Sequence, residues 1–151
     1  MMISTPSGGF IYQSERYAFD NAGQSLKKYT LLNQGELSYN HGASRLRPYG
    51  SCFVMKEHQA RVPFVYHSFA VMNNSADFVS TYLNLDQVQN SLRKLISSGA
   101  RMDGLLNISY DEYMSLDIKL PSRAEQELIA QYIGNIDNLI TLHQRKDYGL
   151  K

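Results

Sequence analysis

The sequence predicts an α+β fold: a mixed sheet laid down early in the chain, followed by a long C-terminal amphipathic helix. Three observations carry this. β-prone runs bounded by turn residues dominate residues 10–71. Two capped segments with helical apolar spacing follow over residues 75–96. A last run over residues 121–146 repeats apolar side chains three and four positions apart. Strands first and helices afterwards is the order of an α+β chain, not of a βαβ chain.

The elements follow in order. Residues 1–9 are rich in Ser, Thr, Pro and Gly and read as a loop, with a short strand expected around residues 10–12. Residues 20–23 (Asp-Asn-Ala-Gly) carry a turn signal. Residues 28–32 read as a strand, 33–36 as a turn and 37–40 as the next strand. Residues 40–49 form a polar loop punctuated by Gly and Pro. Residues 51–55 are apolar and β-prone, 57–60 turn the chain, and 62–71 form a long β-like run that Pro63 places at an edge. Ser75 can cap a helix holding Phe78, Val79, Tyr82 and Leu83. A second helix, capped near Asn84 or Asp86, holds Val88, Leu92, Leu95 and Ile96. Residues 97–104 are a glycine-containing loop. Ser109 and Glu112 make a capping box over one helical turn, and residues 116–120 alternate as a strand.

Composition bounds the function. The chain has 151 residues, 43% of them hydrophobic and 19% charged, enough for one domain with its own core. A net charge of +1 excludes a generally basic, histone-like protein and leaves room for a local basic face. The single cysteine, Cys52, forbids an internal disulfide. With no secretory leader and no long apolar run, this leads to the expectation of a cytoplasmic protein with no membrane partner. Eleven Tyr and no Trp suit surfaces that bind, because each ring carries a polar tip.

The final run is the clearest feature. Pro121 ends what precedes it, Ser122 can cap the first free N–H groups, and Glu125 can reach back to complete a capping box. Leu128, Ile129, Tyr132, Ile133, Ile136, Leu139 and Ile140 then form one stripe, with His143 near its end. Gly134 costs the helix about 1 kcal/mol relative to Ala. Periodicity alone makes this a last helix packed on its own domain or a helix that leaves the domain to pair with another. About three heptads are too few to establish a coiled coil by pattern.

Leu120-Pro121, Glu125-Gln126, Ile136-Asp137 and residues 139–146 (Leu-Ile-Thr-Leu-His-Gln-Arg-Lys) resemble the junction between recognition domain and spacer helix in the specificity subunit of type I restriction–modification systems. The Gly-Glu-Leu-Ser-Tyr-Asn segment ending at Asn40 resembles that family's turn and strand. The resemblance implies a DNA target-recognition domain over residues 1–120, its N-terminal part missing, and a spacer or dimerisation helix over 121–147. Implied partners are double-stranded DNA, a modification (methyltransferase) subunit and, through it, a restriction subunit. Two halves could pair as a homodimer through the stripe and His143. No cofactor is expected in this chain, since S-adenosylmethionine would belong to the modification subunit.

No catalytic machinery and no metal site is legible. The chain lacks a Gly-rich phosphate loop, a CxxC pair and an HExxH motif, and its histidines are scattered. Base edges are read by Arg, Asn, Gln and Ser, and phosphates are held by Arg, Lys and Ser. Asn40, His41, Ser44, Arg45, Arg47 and Tyr49 in one loop, Ser98 and Arg101 in another, and Arg61 and His67 on a third edge are the candidate DNA contacts. Ordinary solvated loops have the same composition. Two other readings stand beside DNA recognition: a regulatory or decoy module that binds the modification subunit without reading DNA, and a small hydrolase built on His41 or His67.

Overall fold

The computed structural model describes residues 1–5, 8–16, 29–97 and 105–148, with side chains described as far as residue 144. β1 (Met2–Ser4) pairs antiparallel with β2 (Phe10–Tyr12), and a short helix, α1 (Gln13–Arg16), follows. β2 is where the sequence put it. β1 is a correction to the expected loop: three residues are too few to show a period of two, yet Met2 and Ile3 are buried. The turn signal at residues 20–23 lies outside the described residues.

The centre of the fold is a bent two-stranded ribbon. β3 (Tyr29–Asn33) pairs with β6 (Gln59–Pro63), and β4 (Leu37–Asn40) pairs with β5 (Ser51–Val54), both antiparallel. Between the two halves, residues 34–36 pass residues 55–58 on the other strand. There the Gln34 N–H donates to the His58 carbonyl at 3.0 Å and the Met55 N–H donates to the Glu36 carbonyl at 2.8 Å. The unequal lengths act as a bulge and bend the ribbon. Gly35, at φ 85°, supplies the left-handed position at the bend. The predicted turn at 33–36 is therefore a kink within a continuing ribbon, and β6 begins at Gln59, inside the turn expected at 57–60.

The long β-run splits after Pro63, where the Tyr66 N–H closes a tight turn on the Pro63 carbonyl at 3.0 Å. The chain returns as β7 (His67–Phe69), which pairs antiparallel with the free side of β4 and gives the order β5-β4-β7. The α+β class holds. Instead of one mixed sheet, the described strands form small sheets paired antiparallel throughout.

α2 (Ala76–Leu83) starts at Ser75, whose Oγ accepts the Phe78 N–H at 3.3 Å. α3 (Asp86–Leu95) has Leu85 at its N-cap and no side-chain cap. The expected cap, Asn84, is engaged elsewhere: its Nδ2 donates to the Cys52 carbonyl at 2.6 Å and its Oδ1 accepts the Cys52 N–H at 3.1 Å. The Asn84 amide thus takes the place of a neighbouring strand along the outer edge of β5. α4 (Tyr110–Met114) carries the predicted capping box, with Glu112 Oε2 accepting the Ser109 N–H at 2.7 Å. Residues 116–120 alternate as predicted, with Leu116, Ile118 and Leu120 against the core and Asp117 and Lys119 exposed, but among the described residues none pairs with them in a ladder. α5 (Arg123–Tyr148) closes the chain.

Two apolar clusters hold this together. The larger joins Leu37, Tyr39, Cys52 and Val54 of the sheet to Phe78, Val79, Leu83, Val88 and Leu92 of α2 and α3, with Ile108 and Tyr113. The smaller joins Met2, Leu32, Met55 and Val62 at the other half of the ribbon. Each fully buried Leu or Val contributes about 2 kcal/mol relative to leaving it in water.

Candidate nucleic-acid and partner interfaces

The β4–β5 ribbon ends in residues 41–50, the loop with most of the candidate DNA contacts. Most of its polar side chains build the loop. Asn40 Nδ2 donates to Ser4 Oγ at 2.8 Å, and Asn40 Oδ1 accepts the Gly42 N–H at 2.9 Å. Ser44 Oγ accepts the Arg47 N–H at 3.0 Å. Arg47 Nη1 donates to the Asn84 carbonyl at 2.9 Å. The Tyr49 carbonyl accepts the Tyr39 hydroxyl at 2.6 Å, and the Tyr49 ring packs on the main core. Gly50 closes the loop at φ 83°, where a Cβ would lie 2.5 Å from the Asn40 carbonyl oxygen. Arg45 is exposed, as is the neighbouring Leu46.

His41 and His67 come together, with ring centroids 4.8 Å apart. His41 is buried with Nδ1 3.0 Å from the Leu106 carbonyl, and His67 Nε2 is 3.0 Å from the Ile108 carbonyl. A carbonyl only accepts, so each imidazole donates there. The Leu106 N–H returns a bond to the His41 carbonyl at 2.8 Å, which lays residues 105–108 across the ends of β4 and β7. Tyr113 stacks on Tyr39 at 4.0 Å, and the exposed Tyr110 stands edge-on to His67 at 5.8 Å. The hydrolase reading needs an imidazole set against a carboxylate, but the His67 bond goes to a backbone carbonyl.

Beneath this aromatic layer lies Cys52. Burial pushes its thiol up to about 12, an effect that contact with the Tyr113 hydroxyl partly offsets. Burial also raises the Tyr39 and Tyr113 phenols, with Cys52 adding to both. Such a thiol is a small apolar filler, not a nucleophile.

Arg61 sits on β6 opposite Leu31, half-buried, on the far half of the ribbon from the loop. Ser98 and Arg101 lie outside the described residues. The structure thus brings Asn40, His41, Ser44, Arg45, Arg47, Tyr49 and His67 to one end of the sheet and leaves Arg61 apart.

α5 is joined to this body at its first turn. Glu125 Oε2 accepts the Ser122 N–H at 3.0 Å and the Ser122 hydroxyl at 2.6 Å, and these bonds hold the Glu125 carboxyl below its usual range. Gln126, 1% exposed, is the anchor. Its Oε1 accepts the Ser75 N–H at 2.9 Å, and its Nε2 donates to Asn74 Oδ1 and to the Pro121 carbonyl, both at 2.8 Å. Sequence reasoning missed this role, although a glutamine in register with Ile129 and Ile133 was a visible break in the stripe.

Past that anchor the helix stands away from the body across a cleft of about 750 Å³, lined by Phe53, Asp77 and Thr81 on one side and Ala130, Ile133 and Asp137 on the other. The side facing the body carries Gln126, Ala130, Ile133 and Asp137, and Ala130 packs against the main core. The apolar stripe is turned about a quarter of a revolution from it. Leu128 is 67% exposed, Tyr132 71%, Ile136 42% and Leu139 62%. Ile129, Ile140 and His143 are exposed too, and Ile133 is half-buried.

Charge is unevenly spread over the other helices. α2 presents Asp77, in an ion pair with Lys56, and α4 presents Asp111 and Glu112. α3 exposes Gln87, Asn90, Arg93 and Lys94. Among the described residues no group of His, Cys, Asp and Glu could hold a metal ion, and no helix is long and apolar enough to cross a membrane. No protein-family model matches the chain, and no curated protein matches it either.

Proposed function

We propose that the chain is a non-catalytic DNA-recognition module with a pairing helix: the target-recognition half of a specificity subunit of the type I restriction–modification class. The observation that carries the reading is the exposed stripe of α5. A terminal helix that served only its own domain would turn Leu128, Tyr132, Ile136 and Leu139 inward, because burying each side chain is worth about 2 kcal/mol. Here they face water, and the body is held by a polar anchor instead. A run of this kind, directly after a recognition-type domain, suits a spacer that pairs with a second helix and docks a modification subunit. Double-stranded DNA would meet the loop end of the sheet, with Arg45 its exposed cation. Two copies joined through α5 would carry two recognition surfaces related by a two-fold axis, so their target would be a bipartite palindrome.

Co-expression with a modification subunit and mapping of methylated adenines tests this. New methylation at a bipartite palindrome is the expected result. A stable complex that adds no methylation would sink the DNA-reading part.

A second reading has its own observation. Asn40, Ser44 and Arg47 are engaged within the protein, to Ser4, to the Arg47 N–H and to the Asn84 carbonyl, whereas the stripe is open, which favours a regulatory module that occupies a modification subunit without reading DNA. Arg45→Glu combined with Arg61→Glu separates the two. Loss of DNA binding with the subunit complex intact supports recognition. Unchanged behaviour in every assay supports the regulatory module.

A further inference from the structure

We infer that α3, not only the loop at the end of the sheet, reads DNA: its outer face enters the major groove and makes base-edge contacts. This rests on the DNA-recognition reading and extends it to residues with no role so far.

The argument begins with the helix's two faces. Val88, Gln89 and Leu92 are buried, and Leu95 is half-buried. Helical spacing then puts Gln87, Asn90, Arg93 and Lys94 together on the outer side, all exposed. These are the side chains whose geometry suits base edges: an amide on adenine, a guanidinium on guanine, and an ammonium on guanine or a phosphate. The sole acid of α3, Asp86, is exposed on the same side one turn before Asn90, and the two cations, Arg93 and Lys94, lie in the last turn and leave the face with a net positive charge. α2 and α4 have no basic residue in the last turn and expose acids, so of the body helices of at least one turn past the sheet, α3 alone offers DNA an attractive face. Its ten residues span about 15 Å, and a helix fits the width of the major groove.

Placement makes the surface continuous. Arg47 Nη1 reaches the Asn84 carbonyl just before α3. At the other end Gly42 bridges Leu105, and the Ser97 N–H just past α3 donates to the Asn107 carbonyl at 3.3 Å. The loop bearing Arg45 is therefore tied directly to the residue before the N-cap of α3 and, through residues 105–107, to the stretch just past its end. A duplex seated on the helix would put a phosphate backbone beside Arg45, so that the loop positions and the helix specifies.

The test is selection of bound duplexes from a randomised library by the full chain, repeated with Asn90→Ala/Arg93→Ala, with Lys94→Ala and with Arg45→Ala. The substituted side chains are exposed, and circular dichroism confirms that each variant is folded. If α3 reads bases, Asn90→Ala/Arg93→Ala loses preference at adjacent motif positions and binds the wild-type motif about ten-fold or more weakly. Lys94→Ala then lowers affinity evenly and reduces the slope of log affinity against log salt by about one. If both α3 variants select the wild-type motif at wild-type affinity while Arg45→Ala weakens binding, α3 is not a reading element and the recognition reading survives without it. If the wild-type chain enriches no motif and does not bind duplex DNA, both fall together.

Discussion

Gly50 and Cys52 show how much a single residue decides here. Gly50 sits at φ 83° with the Asn40 carbonyl oxygen and the Tyr39 ring where a Cβ would be. Gly50→Ala should therefore cost more than 2 kcal/mol, from strain and displaced backbone together, read as a lowered midpoint in urea unfolding. Gly134 is the control: its Cβ position is open and it lies inside a helix, so Gly134→Ala should stabilise by up to about 1 kcal/mol. Cys52 sets a pH dependence. Its thiol is raised from 9.0 to about 12 in the folded chain, so the folded state keeps the proton that the unfolded state releases. That contribution is fully present below pH 9.0 and is lost as pH rises toward about 12. Unfolding free energy should fall with rising pH above 9.0, and Cys52→Ala should flatten the fall even though it lowers stability on both sides. The native thiol should also stay unreactive to thiol reagents until the chain unfolds. An early, complete reaction would mean that the aromatic layer opens readily.

At the scale of the element, two side-chain amides do what the regular ladders do not. Asn84 completes the edge of β5, and Gln126 ties the start of α5 to the start of α2. Replacing Gln126 by Ala leaves the buried Ser75 N–H without its partner and takes one partner from the half-buried Asn74 carboxamide, at a cost of about 2 kcal/mol. The loss should be local. Amide exchange should speed up along α5 and at Ser75, while the β4–β5 amides keep their protection; a uniform loss across the sheet would mean that the anchor holds the whole fold. Both amides escaped a reading by pattern. Asn84 lies where a helix cap is expected, and only the position of β5 shows which backbone it meets. Residues 116–120 mislead for a related reason: an extended segment covering a core shows the same alternation as a strand, and a ladder also needs a neighbour with free N–H and C=O groups.

For the whole molecule, the stripe of α5 is the largest unmet demand. A helix of 26 residues spans about 39 Å, and of its stripe only Ile133 is half-buried while Leu128, Ile129, Tyr132, Ile136, Leu139 and Ile140 are exposed. The chain should associate with rising concentration in sedimentation experiments, and Leu128→Lys with Leu139→Lys should hold it monomeric with its body folded. A chain that stays monomeric at high concentration would point to a different partner helix. If the paired form binds DNA, the two recognition surfaces would act as one ligand, and the monomeric variant should lose affinity well beyond two-fold, because the second contact is no longer intramolecular.

Local chemistry settled much of this protein in advance. The α+β class, the caps at Ser75, Ser109 and Ser122, the kink at residues 33–36 as a place where the chain turns, and the long final helix with its stripe all follow from residues a few positions apart, where steric and hydrogen-bonding preferences act without help from the rest of the chain. Tertiary structure decided the remainder. It split residues 62–71 into strands of two different sheets, set His41 against His67, turned Asn40, Ser44 and Arg47 inward, engaged Asn84 and Gln126 with distant backbone, and left the stripe of α5 facing water. Apart from the short-range bonds of Asn40 to Gly42 and of Ser44 to Arg47, these depend on surroundings tens of residues away, and no periodicity records which of several polar or apolar surfaces a segment will meet. The physical reason is range: a cap or an amphipathic period is written in neighbouring side chains, whereas burial and hydrogen-bond satisfaction are properties of the assembled neighbourhood.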